Sequence, residues 1–176
     1  RSATPGPALF AVLSFRDTDA RPVAGAEVDI WHSSPEGFYE NQDPMQADMN
    51  LRGKFFTDPA GQISFRSVKP AGYPIPIDGP VGDLVRATGR HHYRPAHLHF
   101  LIFKEGFKTL ISQIYVNDDE RLESDVQFGV TRALIGNFVR HDGPAPASDV
   151  TGEWYSVDQA FVMEPGTAKF PKPPIQ

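Results

Sequence analysis

At 176 residues, with 40% hydrophobic and 22% charged side chains, the chain is long enough for one well-filled core and too short for two ordinary domains. A net charge of −5 without a basic run excludes an electrostatic footprint for nucleic acid or an anionic membrane, so a small or neutral partner is expected. The absence of cysteine excludes disulfides, thiolate metal sites and thiol nucleophiles, so any metal must be held by His, Asp, Glu, Tyr or backbone oxygen.

Taken in chain order, residues 1–8 lack the apolar stretch of a signal peptide, and the start at Arg1 rather than Met reads as a processed or truncated product. No apolar run approaches the roughly 20 residues needed to span a bilayer, and a cytoplasmic location is expected. Gly (15) and Pro (17) fall as punctuation between short apolar runs, which points to an all-β architecture in a single domain over 1–176. Strands are expected at 8–15, 26–31, 53–57, 62–67, 97–103, 109–116 and 160–164, segments rich in β-branched and aromatic residues that suit a pleated, half-buried surface. Trp31 at the end of the second reads as a core residue.

The stretch around Pro22 and Gly25 and the Asp58-Pro-Ala-Gly61 segment read as turns. A short helix is expected around 131–138. Residues 35–50 and 69–95 read as long irregular loops, and loops of that length in a small domain tend to be functional. The ends, 1–8 and 165–176, read as extended tails, the second because it is proline-rich.

Arg94-Pro-Ala-His-Leu-His-Phe100 carries the most chemistry. Strand side chains alternate between faces, so His97 and His99 project from one side and are close enough to share one ion. The alternative is two partly exposed histidines on an edge strand. Leu98, Phe100 and Ile102 on one face, with Leu101 and Phe103 on the other, describe an interior strand instead. Buried imidazoles there need partners, since an unsatisfied buried polar group costs a few kcal/mol. Each long loop also holds a tyrosine beside glycine, Gly37-Phe-Tyr39 and Gly72-Tyr73, although a loop tyrosine ordinarily packs its ring and leaves its hydroxyl in water.

Read together, Gly-Ala-x-Val-x-Ile-Trp-His (25–32), Gly-x-Tyr (37–39), Asn-Leu-Arg-Gly (50–53), Thr-Asp-x-x-Gly (57–61), Gly-Tyr-Pro-Ile-Pro (72–76), Asp-Gly-Pro-x-Gly (78–82) and Gly-Arg-His-x-x-Arg-Pro-Ala-His-x-His-Phe (89–100) resemble the intradiol ring-cleavage dioxygenases. Within that family the chain is most similar to the hydroxyquinol and chlorocatechol branch, over residues 9–165. The resemblance implies a two-sheet β-sandwich with long functional loops and little helix. It also implies one Fe(III) per chain, with Tyr39, Tyr73, His97 and His99 as ligands. Two hard phenolate donors favour the ferric state, and a Cys-free set is a poor match for structural zinc.

The implied reaction is O2-dependent intradiol cleavage of a catechol-type ring to a muconate-type product. Hydroxyquinol is the preferred substrate, giving maleylacetate, and catechol or chlorocatechol are the alternatives. Tyr73 takes a proton from the incoming diol; Arg94, otherwise readable as a surface salt bridge, matches the arginine beside the ring and stabilises charge there. Gln113 matches a glutamine near the oxygen pocket, and Pro76, Val126 and Phe128 fall where the family lines its substrate pocket. His32 is expected to support the ligands from behind, and His91, His92 and His141 to face solvent. Larger members carry an N-terminal helical region of roughly 100 residues that forms the dimer contact and one pocket wall. It is not present in this sequence, which leaves a homo-oligomer open. Two rival readings are a non-catalytic transthyretin-type sandwich that binds a partner through its loops, and a copper or zinc enzyme using His97 and His99 with other ligands.

Overall fold

Alternation of apolar and polar residues organises most of the chain into strands. A computed structural model describes residues 4–169. In Ala8–Asp17 (β1), Leu9, Ala11, Leu13 and Phe15 are buried while Val12 is exposed, the period-2 signature of a half-buried strand. The other elements are Glu27–Trp31 (β2), Arg52–Phe56 (β3), Gln62–Val68 (β4), Tyr73–Pro74 (β5), Pro80–Ala87 (α1), Tyr93–Arg94 (β6), His97–Phe103 (β7), Leu110–Val116 (β8), Ile135–Gly136 (β9), Val139–His141 (β10) and Trp154–Met163 (β11).

They form a β-sandwich. One sheet has the order β10-β11-β1-β4, the other β3-β2-β7-β8-β9, and β5 and β6 make a separate two-stranded ribbon. The central pair of the first sheet, β1 and β11, runs parallel in register from Ala8 opposite Trp154 to Asp17 opposite Met163. Between the sheets lie Leu9, Leu13 and Phe15 of β1, Val28 and Ile30 of β2, Leu98, Phe100 and Ile102 of β7, and Val157, Phe161 and Met163 of β11. Phe161 joins the layers: its ring stacks on Phe15 at 5.3 Å and meets Phe100 at 5.1 Å. Each such fully buried Leu or Phe contributes roughly 1.5–3 kcal/mol through its removal from water.

The two expected turns form by the same device. Asp17 accepts hydrogen bonds from the backbone of Asp19 and Arg21, and Asp58 from Ala60 and Gln62, each carboxylate replacing strand pairing where the chain reverses. Gly61 has φ +70°, and a Cβ there would press on the carbonyl of Phe15, so only glycine fits this reversal.

Four expectations are corrected. The short helix expected around 131–138 is a single 3₁₀ turn, Arg132–Leu134, followed by β9 alongside β8. Among the described residues the α-helix is α1, inside the stretch read as irregular. It begins with Pro80 at its first position, where the missing N–H costs nothing, and a Cβ on Gly82 would overlap the Ile77 carbonyl. The strand expected at 160–164 begins earlier, at Trp154, because β1 supplies a full-length parallel partner. Trp31 lies outside the inter-sheet core, on the far face of its sheet.

In the C-terminal tail, Pro165 bridges Phe107 and Gly166 donates to Gly106. The rest, 170–176, and residues 1–3 lie outside the described residues. Among the described residues no helix is long and apolar enough to cross a membrane.

Candidate metal centre

The register of β7 decides which side chains leave the core. Leu98, Phe100 and Ile102 point between the sheets, so His97 and His99 point to the outer face of the five-stranded sheet. Across the ladder His97 pairs with Tyr115 and His99 with Gln113, both on β8, while Trp31 of β2 faces His99 from the other side. The Trp31 indole stacks on the His99 ring at 4.9 Å with their planes 1° apart, which fixes that ring.

Two loops cover this face, and glycine lets them meet. Gly37 has φ +86°, and a Cβ on it would lie 3.0 Å from the Gly72 carbonyl oxygen, so the loop carrying Tyr39 rests directly on the ribbon carrying Tyr73. Gln42 pins Tyr39 by accepting its backbone N–H at 3.0 Å, and Arg52 of β3 anchors the adjacent Glu40 at 2.6 Å. Tyr73 is set by pairing with Arg94 in the β5–β6 ribbon. The two phenol rings meet edge to face at 5.0 Å.

Four donor atoms converge as a result. His97 Nε2 lies 3.0 Å from His99 Nε2, His99 Nε2 lies 3.0 Å from Tyr39 Oη, and Tyr73 Oη lies 3.5 Å from His97 Nε2. His97 donates from Nδ1 to the Pro95 carbonyl at 2.6 Å, which keeps the proton off Nε2 and leaves its lone pair facing the cluster. Burial, helped by the nearby Arg94 charge, lowers His97 to about 4; burial, then His97 and Arg94, lowers His99 to about 3. Both rings are neutral at pH 7, the state in which imidazole binds a metal. Burial raises the Tyr39 phenol far above its ordinary value, with Tyr73 adding to the effect, so only a strong local cation would favour its phenolate. The donor set therefore fits a hard, highly charged ion. Among the described residues no three His, Cys, Asp or Glu side chains form a metal cluster, so a metal here depends on the tyrosines.

Arg94 lies beside the four atoms, 3% exposed, and is the centre of a polar network. Its Nη1 is 3.2 Å from His97 Nε2, and Nη2 donates to Tyr115 Oη at 2.6 Å and to Gln113 Oε1 at 3.1 Å. Asp125, also 3% exposed, receives Nε and Nη2 at 3.2 Å each. The pairing is thus buried, not the surface bridge that is an arginine's ordinary alternative. Burial opposes both charges, yet their mutual attraction, with the Gly129 and Gln127 N–H groups on Asp125, raises Arg94 and lowers Asp125. Gln113 places its amide nitrogen 3.2 Å from His99 Nδ1 and its oxygen against Tyr115 and Arg94.

The expected pocket residues part company. Val126 is buried in a small cluster with Tyr73 and Ile75, against which Tyr39, Ile77 and Val85 of α1 pack. Pro76 is exposed, and Phe128 is 78% exposed with φ +55° and its ring 4.0 Å from the Arg90 guanidinium. The hydrogen bonds of His32 go to the Ser33 carbonyl and to Ser67 of β4, a link between the sheets. His91 is exposed and bonded to Ser124, but His92 is half-buried against Tyr93 and His141 stacks on Trp154 at 3.9 Å, against the expectation of solvent. Tyr115, Asp125 and the Trp31–His99 stack went unread in the sequence. Tyr115 was legible, since it shares a face of its strand with Gln113.

The comparisons with known proteins agree with this geometry. A family model described as dioxygenase matches residues 2–156. The hydroxyquinol 1,2-dioxygenase of a Rhizobium species is 48% identical over 151 residues, covering 84% of this chain and 51% of the relative. The 6-chlorohydroxyquinol 1,2-dioxygenase of Cupriavidus pinatubonensis is 42% identical, over 84% of this chain and 50% of that protein. Among solved structures, hydroxyquinol 1,2-dioxygenase from Pseudomonas putida DLL-E4 superposes with a TM-score of 0.84 at 36% identity, over 94% of this chain and 59% of that one. On the family match and these identities, the chain belongs to the intradiol ring-cleavage dioxygenases.

Proposed function

We propose that this chain holds one Fe(III) through Tyr39, Tyr73, His97 and His99 and cleaves a catechol-type ring between its hydroxylated carbons, with hydroxyquinol preferred over catechol and chlorocatechol. The observation that carries the reading is the convergence of two neutral imidazole nitrogens and two phenol oxygens, 3.0–3.5 Å apart, beside a buried arginine. The chain spans about half the length of the curated relatives it matches, 51% and 50% of the first two.

A ferric ion held by these four residues would supply Lewis-acid activation of the diol toward O2. The protein's own residues do the rest. Tyr73, in the β5–β6 ribbon and 3.5 Å from His97, is placed to take a proton from a diol hydroxyl as the substrate enters. Tyr39 stays fixed by Gln42 and the Glu40–Arg52 anchor. Arg94, with no freedom to turn away, holds a positive charge where negative charge develops on the ring, and a preorganised charge there needs no reorganisation during reaction. Gln113 orients His99 from behind. Val126 forms apolar wall beside Tyr73. Both atoms of O2 end in the two carboxyl groups of the product, so hydroxyquinol plus O2 balances to maleylacetate.

Purified protein loaded with ferric iron tests this by oxygen uptake and product analysis on hydroxyquinol, catechol and chlorocatechol. One O2 consumed per hydroxyquinol, a visible tyrosinate-to-iron band, and the highest kcat/KM on hydroxyquinol are expected. No oxygen uptake with any diol overturns the reaction; faster turnover of plain catechol overturns the substrate preference alone.

A further inference from the structure

Asp125 belongs to none of the metal donors, yet its carboxylate is the point where the Arg94 charge and the segment beside the cluster are tied together. It faces Arg94 side-on, Oδ1 to Nε and Oδ2 to Nη2, both at 3.2 Å. The same two oxygens also accept backbone N–H groups of their own loop, Oδ2 from Gly129 at 2.9 Å and Oδ1 from Gln127 at 3.3 Å. Each oxygen thus serves the guanidinium and the loop at once. From outside, Arg90 grips the same loop by donating to the Asp125 carbonyl at 2.9 Å and the Val126 carbonyl at 3.0 Å. A Cβ on Gly129 would lie 2.6 Å from Tyr115 Oη and 3.0 Å from Arg94 Nη2, so the loop backbone seats directly on the guanidinium.

We infer that Asp125 is a positioning residue: one buried carboxylate sets both the plane of the Arg94 guanidinium and the course of segment 125–129 beside the substrate space. Without it, Nε loses its acceptor and Nη2 loses one of three, leaving Tyr115 and Gln113 on Nη2 and the single 3.2 Å contact of Nη1 with His97. A guanidinium that has lost its two-point, side-on partner is free to tilt, and Nη1 shifts from its 3.2 Å station beside His97. Asp125 also offsets part of the Arg94 charge, which eases the burial of that charge beside the donor cluster. The catalytic consequence rests on the function proposed above; the positioning itself does not.

Two measurements separate those. In metal-free, nitrogen-labelled protein, the Arg94 Nε–H resonance is expected to exchange slowly with solvent, and to lose that protection in Asp125→Asn and Asp125→Ala. In iron-loaded protein, Asp125→Asn and Asp125→Ala are expected to lower kcat on hydroxyquinol by about 10–100-fold, the range for partners that orient active groups. The tyrosinate-to-iron band is expected to stay as in wild type, since the four donors are untouched. Adding Asp125→Ala to Arg94→Ala is expected to cost nothing further, because residues acting through one another are not additive. Should Asp125→Ala fail to fold, the isosteric Asp125→Asn carries the same comparison. Persistence of the protected Arg94 signal in Asp125→Asn, an unchanged kcat, or a further tenfold loss in the double variant overturns the inference. An inactive iron-loaded wild type overturns the proposed function instead, and the resonance alone then decides the positioning.

Discussion

The two faces of β7 solve different problems with the same seven residues. On the inner face, Leu98, Phe100 and Ile102 need only a second sheet to cover them, and any well-packed apolar partner serves. On the outer face, His97 and His99 need partners of specific chemistry, which come from elsewhere: Tyr39 from 60 positions away, Tyr73 from 24, and the Arg94–Asp125 pair across 31. The inner face is generic and carries stability; the outer face is specific and carries the proposed metal site. One strand does both because its side chains alternate.

The contrast breaks most readily at Phe100. Phe100→Ala removes a fully buried ring that meets Phe161 across the sheets and is expected to cost about 3–5 kcal/mol, read as a lower urea midpoint. Next in size is acid. Burial lowers His32 from 6.5 to about 4, so between those values the unfolded chain binds a proton that the folded one refuses. Stability of the metal-free protein therefore falls as pH drops from about 6.5 to about 4, by roughly 3 kcal/mol from this residue, followed by thermal melts across that range. A flat profile would show that the His32 link between the sheets opens without cost.

Gly129→Ala sharpens the comparison on the outer face. The new methyl group meets Tyr115 Oη, Arg94 Nη2 and Asp125 Oδ2 at 2.6, 3.0 and 3.2 Å, and overpacking of this kind costs about 1–3 kcal/mol. It is expected to lower kcat as well, since the guanidinium gives way before the sheet does. The smallest effect on folding belongs to Tyr39→Phe, which removes one hydroxyl and is expected to change metal-free stability by about 1 kcal/mol or less. Its effect on ferric iron is the opposite in scale: loss of affinity beyond about 100-fold, more than a supporting residue costs, measured by iron titration of the visible band.

Much of the fold was legible because its signals are local. Alternation in β1, β4, β7 and β8 placed those strands to within about two residues, and Asp17, Asp58 and Gly61 marked their turns. The first half of β11 was missed because Ser156 and Asp158 interrupt its apolar run, and its pairing with β1 joins opposite ends of the chain. The region 131–138 carries helix-forming residues, but Gly136 packs so closely on Ile114 that β9 runs as a strand there. Pro80 at a helix start was the available sign of α1, and it read equally well as a turn.

The donor set followed the same division. His97 and His99 were readable from period 2, and the two tyrosines from glycine-flanked loops and family motifs. Trp31 was misplaced because hydrophobicity says that a ring is covered and not by what; here the cover is an imidazole. Asp125 carried no sign of its partner, since an Asp four residues before a glycine describes a turn in any protein.

By itself, then, the sequence determined a β-rich chain, the family, and which residue types are offered to a metal, because periodicity, turn chemistry and motif order are properties of neighbours along the chain. Only the tertiary structure decided that the four donors meet, that Trp31 braces His99, and that one carboxylate holds Arg94. Those depend on sheet register and on loops packing through glycine, and an error of one residue in register would turn His97 and His99 into the core.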